Sequence, residues 1–252
     1  EIAVMIRVSK SMDEMREQLR AYHDNDIAQS LKYLNRAERN LLYSGLDAKW
    51  LAEIMSYVDD PAPYIEEIGI DKLAEIINEM EADDAVDLWE DIDESVKVKL
   101  RPMLDDEKTM DILLINSYDE DEIGSLITTN YIRIKQNLSI RQAMHELVQQ
   151  AEENDNITTL YVVDDRGRFC GAIDLKDLIV ARENVALDSL ISYAYPYLLD
   201  HEKISDSIEK IKDYAEDSLP VLNKDKKIIG IITAQDVVEA VDDEVGEDYA
   251  KL

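Results

Sequence analysis

The second half of the chain contains one sequence pattern twice, at a constant offset of 59 residues that makes Gly230 the counterpart of Gly171. Each copy has an apolar β-branched run, a charged turn, and a second apolar run that begins at the glycine and leads to an aspartate. The copies span Leu160 to Asp177 and Leu219 to Asp236, and amphipathic segments at 140–150 and 204–214 precede them. Such runs bounded by turn residues are typical of strands. The repeat therefore predicts two α/β units, each with the order helix, strand, turn, strand, helix.

The first half has helical periodicity from about residue 11 to residue 116 and no strand signals. Asp71 is the predicted N-cap of one of its helices. The predicted buried stripe of that helix has apolar residues spaced by three and four positions: Leu73, Ile76, Ile77 and Met80. The next helix has a similar stripe, and further helices are predicted over 95–104 and 109–115. Short helices joined by short acidic turns indicate a stacked, superhelical all-α domain.

Composition excludes several classes of protein. Among 252 residues there are 27 basic and 57 acidic side chains, a formal net charge of −30, so the chain should repel nucleic acid. A hydrophobic fraction of 46% is enough for folded domains. The single cysteine, Cys170, rules out an intramolecular disulfide and a cysteine-based zinc site. Apolar runs are much shorter than the roughly 18 to 20 residues that a membrane-spanning helix needs, so we expect none.

Two helices are expected to carry carboxylates along one side. Opposite the apolar stripe Ala85, Val86, Trp89 and Ile92 lie Asp83, Asp87, Glu90 and Asp91. The helix after the second copy repeats this arrangement with Asp236, Glu239, Asp243 and Glu247. Like charges one turn apart destabilise a helix, and a divalent cation would relieve that repulsion. Oxygen ligands without nearby His or Cys suit Mg²⁺, whereas a merely solvated acidic face is the alternative interpretation of either stripe alone.

The glycine-led run resembles the signature of CBS (cystathionine β-synthase-type) domains, which is Gly-apolar-apolar-Thr/Ser followed by an Asp three residues on. Gly230-Ile-Ile-Thr233 with Asp236 matches it. In the first copy Asp174 stands at the Thr/Ser position, which weakens a nucleotide role for that half. The resemblance implies that the Thr233 hydroxyl and the Asp236 carboxylate would hold the base and sugar of an adenine nucleotide such as ATP.

The order of the segments carries a second resemblance. An acidic helical array, the junction Tyr118-Asp-Glu-Asp-Glu-Ile-Gly124-Ser-Leu-Ile-Thr128 and two CBS-like copies follow one another. This order resembles the cytosolic part of the MgtE family of magnesium channels and transporters. The family's junction is similar to Tyr-x-Glu-Asp-x-Ala-Gly-x-Leu-Met-Thr, with Ile123 here in place of the Ala and Ile127 in place of the Met.

The MgtE resemblance implies an α+β protein with four parts. These are an all-α superhelical N domain (1–117), CBS domain 1 (118–184), CBS domain 2 (185–241) and the start of a C-terminal connecting "plug" helix (242–252). It also implies a homodimer through the CBS pairs, a membrane domain absent from this chain, and a place on the cytoplasmic side of a bacterial cell membrane. The residues matching the family's Mg²⁺ sites are Asp83, Asp87, Asp236, Glu244, Glu247 and Asp248, with Glu239 and Asp242 as neighbours.

The leading hypothesis is a Mg²⁺ sensor that closes the pore of its transporter when Mg²⁺ is plentiful. We expect no enzymatic activity, because the sequence has no phosphate-cradling glycine loop, nucleophile elbow or zinc-hydrolase motif. Two alternatives stay open. One is an adenine-nucleotide sensor that controls a partner without metal bridging, and the other is a scaffold whose helical array docks a partner while its CBS pair dimerises.

Overall fold

The computed structural model describes residues 1–252 except 10, 153, 208–213, 215, 235 and 237–252. It divides into two compact units, Glu1–Leu113 (unit 1) and Leu114–Leu252 (unit 2). Unit 1 is helical wherever it has regular structure, and unit 2 contains two small sheets with helices. The predicted α+β class, a helical domain followed by a CBS pair, is confirmed. The predicted connecting helix at 242–252 lies outside the described residues.

Unit 1 is a succession of short helices. They are α1 (Ile2–Val8), α2 (Met12–Leu19), α3 (Asp24–Ser30), α4 (Arg36–Gly45), α5 (Ala48–Met55), α6 (Ala62–Ile65), α7 (Ile70–Glu79), α8 (Ala82–Glu90), α9 (Glu94–Leu100) and α10 (Asp106–Ile115), which crosses into unit 2. Side-chain caps set several of the helix starts: Ser11 caps α2, Asp47 caps α5, and Asn35 forms a capping box with Glu38 in α4.

The apolar stripe predicted for α7 is confirmed, because Leu73, Ile76, Ile77 and Met80 are all buried. The predicted N-cap was wrong. Helix α7 begins at Ile70 with Gly69 at the N-cap, so Asp71 lies inside the first turn. A carboxylate there still stabilises the helix, through the positive end of its dipole rather than through a cap hydrogen bond.

Helix α9 is shorter than the sequence pattern predicted. It ends at Leu100 and gives way to a 3₁₀ turn over Arg101–Met103. Pro102 explains the change, since proline in an α-helix lacks the N–H donor and clashes with the preceding turn. Met103, the last residue of that turn, is 36% exposed.

Unit 2 contains the two copies of the repeat. The first has β1 (Ile132–Lys135), α11 (Ile140–Gln150), β2 (Thr159–Val163), β3 (Phe169–Asp174) and α12 (Leu175–Val180). The second has β4 (Leu198–Leu199), β5 (Ser218–Leu222) and β6 (Ile228–Thr233), with helical residues at 204–207. In both sheets the first strand is parallel to the second and the second is antiparallel to the third. The repeat predicted the hairpins and α11, but not the short strands β1 and β4.

A short segment that precedes each copy is hydrogen-bonded to a strand of the other copy. Thr128, ahead of the first copy, exchanges two 2.9 Å backbone hydrogen bonds with Ile231 on β6. Ser192, ahead of the second copy, exchanges bonds of 2.8 and 3.2 Å with Ala172 on β3. The repeat glycines make this approach possible, because a Cβ at Gly171 would lie 2.4 Å from the Ser192 carbonyl oxygen. A Cβ at Gly230 would lie 2.7 Å from the Ile127 Cβ.

A shared core joins the two copies. It contains buried residues of both sheets: Tyr161, Val163, Ala172, Leu222, Ile228 and Ile231. At its centre the Tyr161 hydroxyl is 2.6 Å from the Ser218 Oγ, so the buried phenol is hydrogen-bonded across the two copies. The two copies therefore pack together as a single domain.

Candidate functional site

Helix α8 carries the first predicted metal ligands. Its buried face contains Ala85, Val86, Leu88 and Trp89, which fixes its orientation in unit 1. Asp83 lies in the first turn and is half-buried, while Asp87, one turn later, is exposed. The i, i+4 spacing places these two carboxylates on adjacent turns of one face, as the sequence predicted.

The chain around α8 is densely acidic. Between Glu79 and Glu94 there are nine acidic and no basic side chains. Acidic residues in the first turn of α8 are stabilised by the helix dipole, but those farther along, such as Glu90, are not. This segment is therefore a surface of negative charge that attracts cations.

A basic group beside this surface comes from α10. Lys108 is only 9% exposed, and its Nζ donates a hydrogen bond to the carbonyl oxygen of Met80, the C-cap residue that follows α7. Burial lowers the pKa of the Lys108 ammonium, and the carboxylate charges of Asp111, Glu107, Asp83 and Glu81 oppose that shift. The sequence gives no signal for the burial of Lys108, because a lysine near the start of an acidic helix is normally solvated.

In the second copy, Thr233 and Asp236 are hydrogen-bonded to each other at the end of β6. The Asp236 Oδ2 accepts a hydrogen bond from the Thr233 N–H at 2.6 Å, and the Thr233 Oγ1 accepts one from the Asp236 N–H at 3.4 Å. This reciprocal arrangement is a capping box. A ligand that needed both oxygens of Asp236 would have to break it.

The residue by which the first copy departs from the CBS signature also serves as a helix cap. Asp174 stands where the second copy has Thr233, and its Oδ1 accepts a 2.7 Å hydrogen bond from the Lys176 N–H at the start of α12. Aspartate and threonine are both effective N-caps, so the substitution preserves the cap.

The junction motif is bound to the second copy. The N–H groups of Ile123 and Gly124 donate 2.8 Å hydrogen bonds to the carbonyl oxygens of Glu202 and Asp200. Ile123 and Ile127, which replace smaller or more flexible family residues, are fully buried. The Glu122 carboxylate accepts from the Asp119 N–H and contacts His201, which together lower its pKa.

The other predicted metal ligands, Glu239, Asp242, Glu244, Glu247 and Asp248, lie outside the described residues. Among the residues that the structure does describe, no three His, Cys, Asp or Glu side chains come together as metal ligands. The donor set of α8 offers only oxygen ligands, which are those that a hard cation such as Mg²⁺ prefers, and the charge of Asp83 acts on the nearby Lys108 ammonium. No helix within the described part of the chain is long and apolar enough to cross a membrane.

Comparison with known proteins identifies the domain order. Residues 22–121 match the model of the MgtE intracellular N domain, and residues 123–184 and 188–243 match that of the CBS domain. A crystal structure of the soluble part of a magnesium transporter superposes with a TM-score of 0.89 at 28% identity, covering 97% of this chain and 99% of that one. The chain belongs to the MgtE family.

Full-length MgtE relatives extend well beyond the region matched here. The chain is 26% identical over 243 residues to the magnesium transporter MgtE of Thermus thermophilus and 29% identical over 248 residues to that of Enterococcus faecalis. These matches cover 94% and 97% of this chain but 54% and 55% of the relatives. The chain thus spans about half the length of an MgtE transporter.

A second similar structure contains a bound nucleotide. The cytosolic domain of the Mg²⁺ channel MgtE in complex with ATP superposes with a TM-score of 0.86 at 25% identity, covering 94% of this chain and 99% of that one. The resemblance to MgtE inferred from the junction and the repeat is therefore confirmed.

Proposed function

We propose that this chain is the Mg²⁺-sensing regulatory region of a bacterial magnesium transporter, located on the cytoplasmic side of the cell membrane and joined to a membrane domain. The observation that carries the proposal is the α8 surface, where Asp83 and Asp87 stand in a segment with nine acidic and no basic side chains. The MgtE relatives from Thermus thermophilus and Enterococcus faecalis are magnesium transporters, which agrees with a transport-related role.

In this proposal, Mg²⁺ bridges the N domain, the second CBS unit and the plug helix. Asp83 and Asp87 would supply ligands from the first and Asp236 from the second. Glu239, Asp242, Glu244, Glu247 and Asp248 would complete the set from the rest of the chain. The bound ions cancel repulsion between acidic surfaces, so a dimer paired through its CBS units becomes compact and the pore closes. When Mg²⁺ falls, the repulsion returns and uptake resumes.

Magnitudes favour several weak sites over one tight site. Shifting a conformational equilibrium from 1:99 to 99:1 requires about 5.5 kcal/mol of differential binding. A site with a dissociation constant near 1 mM contributes about 1.4 kcal/mol at tenfold excess of ligand. About four such sites acting together would suffice, and weak sites respond in the millimolar range.

Small-angle X-ray scattering tests the proposal. The radius of gyration should fall when a chelator is replaced by tens of millimolar Mg²⁺ at constant ionic strength. Asp83→Asn with Asp87→Asn should weaken that response. The matched control, Asp59→Asn with Asp60→Asn, removes two exposed charges elsewhere in unit 1 and should leave it unchanged. An identical radius with and without Mg²⁺ would refute the proposal.

Adenine-nucleotide sensing is the second candidate, favoured by the ATP complex of a related cytosolic domain and by Thr233 and Asp236 in the CBS signature. Calorimetry with nucleotide, together with the scattering response to Mg²⁺, distinguishes a nucleotide sensor from a metal sensor. Tight ATP or AMP binding without any effect of Mg²⁺ on shape would favour a nucleotide sensor, whereas a Mg²⁺ response in the absence of nucleotide supports the metal sensor.

A further inference from the structure

Lys108 is a buried cation within the acidic surface proposed to bind Mg²⁺. It projects from α10, is 9% exposed, and its ammonium group donates a hydrogen bond to the Met80 carbonyl oxygen at the junction of α7 and α8. A lysine is seldom buried unless its charge is compensated. The position of Lys108 therefore requires an explanation beyond packing.

The compensation comes from carboxylates of two helices and the turn before α8. Glu107 and Asp111 lie on α10 itself, Glu81 immediately precedes α8, and Asp83 is in the first turn of α8. All four act electrostatically on Lys108. Asp83 is thus shared between a resident ammonium and the metal that the proposed function assigns to it, while Asp87, one turn later, is exposed.

We propose that Lys108 is a tethered counter-cation that sets the Mg²⁺ affinity of the α8 surface. In the absence of metal it neutralises part of the charge around Asp83 and keeps the α7–α8 junction folded. A dication at Asp83 meets the positive charge of Lys108, so its affinity is lower than the carboxylates alone would give. The Mg²⁺ affinity of the α8 surface is thereby kept weak enough for it to respond in the millimolar range.

This inference rests on the proposed Mg²⁺ binding at Asp83 and Asp87, and calorimetric titration of the chain with MgCl₂ tests both. Lys108→Gln keeps an N–H donor for Met80 but removes the charge, and should tighten Mg²⁺ binding on the order of tenfold. Lys108→Arg keeps the charge and should bind like the wild type. Lys99→Gln, an exposed lysine on α9, makes the same change in net charge and should have a much smaller effect.

The outcomes distinguish the two claims. Wild-type protein without measurable Mg²⁺ binding, or with binding unaffected by Asp83→Asn, overturns the proposed function. Wild-type binding that depends on Asp83 but is unchanged by Lys108→Gln, or changed equally by Lys99→Gln, overturns the role of Lys108 and leaves the sensor intact. In the Asp83→Asn background, Lys108→Gln should lose most of its effect.

A melting experiment keeps the inference testable if Lys108→Gln fails to fold. Without Mg²⁺, Asp83→Asn removes a partner of the buried ammonium and should lower the melting temperature by a few degrees, whereas Asp87→Asn, at an exposed position, should lower it less. Equal melting temperatures for these two variants would overturn the proposal.

Discussion

Arg39 and Glu67 form a well-shielded ion pair, with side chains 16% and 11% exposed. Two hydrogen bonds join them, Nε to Oε2 at 2.7 Å and Nη2 to Oε1 at 2.6 Å. The same guanidinium also donates to the Leu31 and Leu34 carbonyl oxygens. The pair therefore ties the start of α4 to the chain that follows α6, a contact between distant positions that no local sequence pattern reveals.

Replacing Glu67 by Gln should destabilise unit 1 by about 1–3 kcal/mol at pH 7, since it leaves a buried guanidinium without its counter-charge. The Arg39 hydrogen bonds lower the pKa of Glu67 below its usual 4.5. The pair's contribution is therefore present above pH 4.5 and is lost as the pH falls through the lowered pKa. Denaturant unfolding from pH 7 to pH 3 should show the variant and wild type converging.

The matched control for that experiment is Glu75→Gln, which removes the exposed partner of Lys72 on α7. It should cost less than about 0.5 kcal/mol. A Glu67 variant as stable as this control at pH 7 would contradict the account.

Gly171 and Gly230 connect a sequence signature to a packing requirement. Alanine at either position would place its Cβ 2.4 Å from the Ser192 carbonyl oxygen or 2.7 Å from the Ile127 Cβ. Because the Ser192 backbone cannot easily move away from the new Cβ, Gly171→Ala should destabilise unit 2 by about 1–3 kcal/mol. Gly69→Ala has no atom within 4 Å of the new Cβ and should change stability by less than about 1 kcal/mol. Thermal melts that show equal effects would contradict the exchanged-segment packing.

At the scale of secondary-structure elements, long periodic segments were predictable and short or exchanged ones were not. Helix α11 was predicted with its bounds, because Ser139 and Gln142 form a capping box ahead of a regular apolar stripe. Strand β4 has only two residues, too few for an alternating pattern. The pairing of Thr128 with Ile231 joins positions about a hundred residues apart, so only the folded chain reveals it.

The junction motif, which lies within unit 2, should behave as part of the second CBS unit rather than as a flexible linker. In hydrogen exchange followed by NMR, the amides of Ile123, Gly124 and Thr128 should be protected like those of β6, because each donates to a backbone carbonyl of the second copy or its flanks. Exchange at the rate of an unstructured peptide would contradict this arrangement.

Across the whole molecule, the net charge of −30 produces a negative electrostatic potential that attracts cations. The sequence located the acidic stripe of α8 correctly, since helical periodicity determines which side chains share a face. It could not reveal that Lys108 lies within that charge, because burial depends on how α10 packs against the preceding helices. It also could not reveal that Asp236 is committed to a capping box, which limits how it can bind a ligand.

Anomalous diffraction from crystals of this chain soaked in Mn²⁺ would locate bound cations directly, because Mn²⁺ is a stand-in for Mg²⁺ with similar oxygen ligands. If Asp83 and Asp87 bind Mg²⁺ as proposed, anomalous peaks should lie within coordination distance of their carboxylates and should disappear in the Asp83→Asn, Asp87→Asn double variant. Peaks confined to other sites, with none beside α8, would refute metal binding by this helix.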